Sequence, residues 1–391
     1  MTFDFDEIID RKNTNCLKYD FACERGKPAD ILPLWVADMD FRTPPCVVDA
    51  LKRSSEHGIF GYTAVKAEYA EIMRNWFGRQ YNWAIEPDWL VRTPGVVYAI
   101  ATAIRSLTKP GDSILIQQPV YYPFSRVISI NQRKVINCPL VCQNQRYMID
   151  FADFERIIRE ERVRLFILCN PHNPVGRVWS RAELERLGDI CAAYGVVIVS
   201  DEIHADFVYP GHHHVVLSDI KPSFRDITVT CTAPSKTFNL AGLQIANILI
   251  ANPDIRHAFR QEMEQEGYGQ VNTMGLVACQ AAYKGGQTWL DELLVYLKGN
   301  LELLRNTVHE SLPGIHLVEP EGTYLAWLDC RGLRLPPRDL DALIVNQARV
   351  WLDDGAMFGD EGAGFQRINI ACPRSTLIQA LQQIRDAVGT L

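Results

Sequence analysis

One lysine, Lys236, is notable for where it occurs in the chain. It lies in the segment Thr232–Gly242, directly after a run typical of a buried strand, and small and polar residues flank it. A lysine in a loop is usually solvated, because lysine side chains are rarely buried. A lysine in a drier pocket has a neutral amine that attacks carbonyl groups and removes protons. This segment alone leaves both interpretations open.

Two polar residues follow neighbouring strand-like runs. Asp201 ends the run Val196–Asp201, and a carboxylate at the carboxyl end of a strand points into the crevice where α/β sheets bind ligands. It would suit a cationic ring nitrogen there, or else cap the next helix from an exposed position. In Asn170–Gly176 two prolines and a glycine predict an extended turn that aims Asn173 inward, with a plain surface turn as the alternative.

Two further segments carry features suited to anions. Arg367 lies in the alternating, strand-like run Phe365–Ala371, where its planar guanidinium would bind a carboxylate at two points. Gly95–Val97 opens an apolar helix. Free N–H groups at a helix start favour an anion such as phosphate, although a buried helix start needs no ligand at all.

The elements that position these residues follow an α/β pattern from about residue 89 onward. Short apolar runs alternate with amphipathic stretches, which predicts parallel strands joined by crossover helices. The predicted strands are Ser113–Gln117, Lys134–Pro139, Arg164–Asn170, Val196–Asp201, Ile227–Thr232 and Asn247–Ala251. Ser180 and Glu183 form a capping box for a helix that Gly195 ends.

The pattern of predicted helices and strands changes at about residue 290. A long helical pattern over Leu290–Leu312 precedes a strand-like stretch that includes Leu325–Asp329, and a last helix starts near Ser375. We therefore expect a large α/β domain over residues 46–289, with a mainly parallel sheet. Residues 1–45 and 290–391 would form a smaller α+β domain.

Composition narrows the function classes. The chain has 391 residues and a net charge of −7, so it lacks the basic surface of nucleic-acid or anionic-membrane binders. No basic segment followed by an apolar run opens the chain, and no apolar run is long enough to span a bilayer, so we expect a cytoplasmic protein. The 11 scattered cysteines, such as Cys169 and Cys231, are expected to be reduced and mostly buried. Three adjacent histidines, His212–His214, cannot all face one ion, so we predict no metal site.

Taken together, these segments resemble the fold-type-I pyridoxal-phosphate (PLP) enzymes of the aspartate aminotransferase superfamily, over nearly the whole chain. Within it they look like the MalY/PatB group of cystathionine β-lyases and related carbon-sulfur lyases. The motifs that carry this closer resemblance are Trp35–Phe41, Asp201–His204, Ser235–Gly242, Gly322–Asp329 and Ala371–Arg374.

The resemblance implies a role for each candidate residue. Lys236 would hold PLP as a Schiff base, Asp201 would keep the pyridine nitrogen protonated, and Asn173 would bond the phenolic oxygen of the ring. Tyr121 would stack on the ring, and Arg367 would bind the substrate carboxylate.

The resemblance also implies how the phosphate is held. The backbone of Val96 and Val97 and the hydroxyl of Ser235 would bind it, and Tyr62 would reach it from the neighbouring subunit. The expected assembly is therefore a homodimer with shared active sites.

Three positions depart from the aminotransferase pattern. Gln244 replaces a usual phosphate-binding arginine, Ala233 replaces a serine, and His204 replaces a tyrosine. The role of His204 stays open between cofactor contact and structure. We expect β-elimination of L-cystathionine or a related cysteine thioether to a thiol, pyruvate and ammonia. The alternatives are an aminotransferase and a protein with an additional regulatory role.

Overall fold

The computed structural model describes residues 2–391. Its strands are β1 (Leu32–Pro33), β2 (Leu90–Thr93), β3 (Ser113–Ile116), β4 (Lys134–Asn137), β5 (Val141–Gln143), β6 (Arg146–Met148), β7 (Leu165–Cys169), β8 (Val197–Asp201), β9 (Thr228–Thr232), β10 (Ala246–Leu249), β11 (His316–Val318), β12 (Leu325–Asp329), β13 (Val350–Trp351), β14 (Asp353–Asp354) and β15 (Phe365–Asn369). Its α-helices are α1 (Pro45–His57), α2 (Ala67–Tyr81), α3 (Val96–Leu107), α4 (Pro123–Ile130), α5 (Phe151–Glu160), α6 (Arg181–Tyr194), α7 (Pro222–Arg225), α8 (Pro234–Thr237), α9 (Pro253–Gln265), α10 (Thr273–Gly285), α11 (Gln287–Ser311), α12 (Pro337–Ala342) and α13 (Arg374–Val388). No helix in this range has the length and hydropathy needed to cross a bilayer.

A seven-stranded sheet in the order β2-β10-β9-β8-β7-β3-β4 forms the centre of the molecule. All six predicted strands are present, with ends within two residues of the prediction. The sheet is mainly parallel, as predicted, and of the six predicted strands only β10 runs the other way, pairing antiparallel with both β2 and β9. Burial on both faces, the feature that predicted this strand, does not encode its direction.

Both faces of this sheet are covered, as its apolar strands require. Along β7 the side chains alternate between two cores. Leu165 and Ile167 pack with residues of α3 and α4, whereas Phe166 and Leu168 pack with residues of α5 and α6. The predicted capping box of α6 is present, and Gly195 ends that helix with a φ of 66°. The sheet is thus covered on both faces, and the loops lie at the ends of its strands.

A second, four-stranded antiparallel sheet has the order β11-β12-β15-β14. The helices α11 and α13 correspond to the two predicted for this region. The N-terminal segment joins it through β1, which pairs parallel with β13. The predicted domain boundary at residue 290 falls inside α11, and the division into domains stays a prediction.

The cysteines are free, and most are buried, as predicted. Seven of the 11 are buried, including Cys169 and Cys231, whereas Cys23 and Cys142 are exposed. The sulfur atoms therefore act mainly as small apolar groups in the core.

Candidate active site

The carboxyl ends of five parallel-running strands of the large sheet border one cavity, the place where α/β sheets bind ligands. The loops after β2, β3, β7, β8 and β9 each contribute to its lining. These loops bring together eight of the nine predicted cofactor-binding residues: Val96, Val97, Tyr121, Asn173, Asp201, His204, Ser235 and Lys236. Distant parts of the chain converge here because parallel strands end at the same edge.

Lys236 lies in the short helix α8, and its amine points into the cavity. Nζ donates a hydrogen bond to the carbonyl oxygen of Ala37 at 2.6 Å. Burial lowers the pKa of the amine to about 8; the charge of Asp38 opposes this shift and that of Arg367 adds to it. A neutral, nucleophilic form of Lys236 is therefore accessible near physiological pH, and the solvated-loop interpretation is wrong.

Asp201 ends β8 and is 5% exposed. Its carboxylate accepts one hydrogen bond, from the backbone N–H of Ile203 at 3.2 Å. Burial raises its pKa to about 7, because few groups stabilise the charged form. No helix begins in residues 202–216, so the helix-cap alternative for this residue is wrong. The carboxylate is instead open to a cationic partner.

His204 lines the same cavity and is buried. Burial, together with the charges of Lys236 and Arg367, lowers its pKa well below the usual value, so the ring is neutral. Its Nδ1 atom has no hydrogen-bond partner among residues 2–391. The ring lies edge-on to Tyr324, with 5.8 Å between centroids.

Tyr324 is a site residue for which sequence reasoning assigned no role. Its hydroxyl donates to the carbonyl oxygen of Ala37 at 3.0 Å, the same oxygen that Lys236 contacts. The preceding residue, Thr323, has a φ of 68°, a strained conformation for a β-branched side chain. The only advance signal was the Gly322–Asp329 motif itself.

The cavity is also suited to an anion at the start of α3. The helix α3 begins there with Gly95 as its N-cap, as predicted, so its first N–H groups lack partners within the helix. Ser235 lies at the same cavity, whereas Gln244 does not line it. Tyr62 is 96% exposed and lies outside the lining, so within one chain it does not reach this pocket.

Arg367 lies on β15 of the second sheet and is linked to the cavity through Asn173. Its Nη1 atom donates to the Asn173 side-chain oxygen at 2.9 Å, and its Nη2 atom to the carbonyl oxygen of Trp35 at 3.0 Å. Nη2 also contacts the carboxylate of Asp353, its cross-strand neighbour. Sequence reasoning missed Asp353, because nothing in the sequence pairs β14 with β15.

A bent segment, Trp35–Met39, borders the site through Ala37, and we refer to it as the strap. Side chains of the site hold each of its five carbonyl groups. The donors are Arg367 to Trp35 (3.0 Å), Asn369 to Val36 (2.7 Å) and Asp38 (2.6 Å), Lys236 to Ala37 (2.6 Å) and Asn239 to Met39 (2.9 Å). The N-terminal segment is thereby fixed to the reactive residues.

The histidine tract has a structural explanation. His214 pairs with the buried carboxylate of Glu202, with 2.8 Å between Nε2 and Oε2, and both side chains are almost fully buried. His212 and His213 are exposed. The tract thus contributes one histidine to the core directly behind Asp201.

The family of the chain can be read from comparisons with known proteins. A family model described as aminotransferase class I and II matches residues 29–384. The chain belongs to this family. It is also 39% identical to the cystathionine beta-lyase PatB of Bacillus subtilis, over 98% of this chain and 100% of PatB, which confirms the predicted group.

Solved structures of the family have the same fold. Cystalysin from Treponema denticola, which contains a pyridoxal 5'-phosphate cofactor, has a TM-score of 0.96 and 37% identity, with full coverage of both chains. The PLP-bound C-S lyase from Staphylococcus hominis has a TM-score of 0.92 and 33% identity, covering 99% of this chain and 98% of that one. The predicted aspartate aminotransferase-like α/β fold is therefore confirmed.

The residues at the cavity fit PLP. An amine at Lys236 suits its aldehyde, and the buried carboxylate of Asp201, with a single hydrogen bond, suits a protonated ring nitrogen. The free N–H groups at the start of α3 suit its phosphate. His204 also lines this cavity, and its buried Nδ1 atom has no hydrogen-bond partner among residues 2–391.

Proposed function

We propose that the protein is a PLP-dependent carbon-sulfur β-lyase that cleaves L-cystathionine or a related cysteine thioether to a thiol, pyruvate and ammonia. The observation that carries the proposal is that the half-buried Lys236 and the buried Asp201 line one cavity and have pKa values near neutrality. Similarity to a cystathionine beta-lyase over the whole chain supports this reaction within the family.

Each of the central residues has a task that its surroundings allow. When bound, PLP supplies a ring that withdraws electrons from the substrate α-carbon. The Lys236 amine accepts the α-proton at Nζ, which its low pKa permits. Asp201 holds the proton of the ring nitrogen, and Tyr121 covers the ring. The strap and Tyr324 limit the access of water to the Lys236 amine.

Arg367 and Asn173 orient the substrate. Arg367 carries a fixed positive charge behind Asn173, which lines the cavity and accepts a hydrogen bond from its Nη1 atom. A carboxylate bound there would place the α-carbon near Lys236. The backbone of Val96 and Val97 and the hydroxyl of Ser235 would anchor the phosphate.

We also propose that two copies form a homodimer in which Tyr62 of one chain serves the cofactor of the other. Ile59, Phe60 and Tyr62 are 71%, 60% and 96% exposed, and such a run of large apolar side chains favours burial against a partner. Mixing Tyr62→Phe and Lys236→Ala proteins after subunit exchange should restore activity, because one of the two sites is then intact. No restoration despite verified exchange would contradict shared sites.

We place the protein in the cytoplasm. Its 11 cysteines are free, and thiols persist in that number only in a reducing compartment. Cell fractionation would test this location, and finding the protein mainly in a fraction other than the cytoplasmic one would contradict it.

An aminotransferase is the second candidate, because the family description names that activity. The deciding assay incubates the protein with L-cystathionine and, separately, with an amino acid and 2-oxoglutarate, and measures pyruvate, thiol and glutamate. We expect pyruvate and thiol to form far faster than glutamate. Gln244 provides no fixed positive charge for the phosphate, and a transaminase must retain its aminated cofactor without a covalent bond. Glutamate formation that matches thioether cleavage would reverse this assignment.

A further inference from the structure

The hydrogen bonds of the Arg367 guanidinium limit how it can bind a ligand. Nη1 donates to Asn173, Nη2 contacts both Trp35 and Asp353, and Nε is buried with no partner among residues 2–391. A guanidinium offers five N–H donors, so one on Nε and one on Nη1 are free.

A carboxylate cannot use these two free donors as a fork. A guanidinium binds a carboxylate at two points through Nη1 and Nη2, or through Nε and Nη2. Both forks include Nη2, which Trp35 and Asp353 occupy. A two-point ligand must therefore displace one of them. The neutral carbonyl of Trp35 is the weaker acceptor, so it is the group that yields, and Asp353 stays.

The charges in this region then decide what binds. The side chains of Arg367 and Asp353 are 3% and 4% exposed, so they form a buried and nearly neutral pair. A ligand carboxylate that joins them gives the cluster a net negative charge in a region of low polarity, which is unfavourable. If residue 353 were neutral, the same ligand would instead neutralise an unpaired buried arginine.

We propose that Asp353 is a specificity-determining residue, which makes a carboxylate on its own a poor ligand for Arg367. A ligand is retained only if it is also attached through its amino group at the Lys236 end of the cavity. Simple organic acids are thereby excluded, and amino acids are selected. This inference rests on the proposed binding of the substrate carboxylate by Arg367, and it adds the reason for discrimination.

The test uses propionate, a carboxylate without an amino group, and the PLP-loaded protein. Asp353→Asn keeps the shape of the side chain and removes its charge. Asp354→Asn is the matched control, since Asp354 is the next residue, is half-buried and caps a turn through Ala356 instead of contacting Arg367. We expect calorimetric titration to show propionate binding at least about tenfold tighter to Asp353→Asn than to the wild type, with Asp354→Asn unchanged.

Two further measurements test the proposal, the first of them independently of how well the Asp353→Asn variant folds. The wild type should bind propionate at least about tenfold more weakly than L-alanine, and this comparison needs no variant. Adding Arg367→Gln to Asp353→Asn should remove the gain in propionate affinity. Equal binding of propionate and alanine by the wild type would overturn the proposal, as would unchanged or weaker propionate binding by a folded Asp353→Asn protein. A gain that survives Arg367→Gln would overturn it too. Thioether cleavage by the wild type tests the lyase assignment separately.

Discussion

The two ends of the reactive site hold their charges in different ways. Lys236 is half-buried and Asp201 is buried, neither has an ion-pair partner within residues 2–391, and desolvation moves the pKa of each toward neutrality. The charge of Arg367, by contrast, is already paired with Asp353, and its guanidinium also donates to Asn173 and the strap. Lys236 and Asp201 therefore have charges that a cofactor can pair, whereas the charge of Arg367 is paired before any ligand arrives.

This difference suggests a division of labour. A buried group without a partner costs stability that binding recovers, so the Lys236 and Asp201 end favours tight retention of a charged ring. A ligand that binds Arg367 must replace a hydrogen bond that Arg367 already makes, so its net gain in binding free energy is smaller. Variants at the first end should therefore affect chemistry, and variants at the second should affect substrate affinity.

The largest expected effect is that of Lys236→Ala. Removing the amine should lower turnover of a cysteine thioether by about 10³-fold or more, because the base that moves the α-proton is lost. In the wild type, borohydride reduction should fix the cofactor at Lys236, as peptide mapping would show. Lys284→Ala, at an exposed lysine, is the control. Labelling at any other lysine would contradict the assignment.

Asp201→Asn should have the next largest effect. The variant should fold and bind PLP, yet its kcat should fall by about 10²- to 10³-fold, because a neutral amide no longer favours a protonated ring nitrogen. Steady-state kinetics and the slowed loss of an α-deuterium label would measure this. Asp291→Asn, on the exposed face of α11, should leave kcat unchanged. An unaltered kcat for Asp201→Asn would show that this carboxylate does not contact the ring.

Arg367→Lys tests the paired end. A lysine keeps the charge but loses the fork, which is worth about 1.5 to 3 kcal/mol in a charged hydrogen bond. We expect KM for the thioether to rise by roughly 10- to 100-fold, with kcat much less affected. Arg349→Lys, at an exposed position, serves as the control. A fall in kcat with unchanged KM would contradict the proposal that Arg367 acts in substrate affinity whereas Lys236 and Asp201 act in the chemical step.

The last expected effect is on stability without cofactor and does not involve catalysis. The Asp201 carboxyl titrates near 3.8 when unfolded and at about 7 when folded, so between these pH values the folded chain binds more protons. The free energy of unfolding should therefore fall as pH rises from 4 to 7, by up to about 1.4 kcal/mol per pH unit from this group. Urea denaturation of cofactor-free protein should show a steeper fall with pH in the wild type than in Asp201→Asn, and the difference is the contribution of Asp201. Identical slopes would mean that burial does not raise the pKa of Asp201.

Much of the site was predictable from local sequence. Lys236, Asp201 and Asn173 each follow a strand-like apolar run, and the carboxyl ends of parallel strands must meet at one edge. The capping box of α6 and the N-terminus of α3 could also be predicted, because both depend on residues within one helical turn.

Tertiary structure alone decided the rest. The reversed direction of β10, the pairing of Asp353 with Arg367 and the course of the strap depend on which elements lie side by side. Trp35 and Arg367 are 332 positions apart in sequence, yet they share a hydrogen bond. Local patterns specify which residues are buried or capped, but contacts between distant elements follow from the packing of the whole chain.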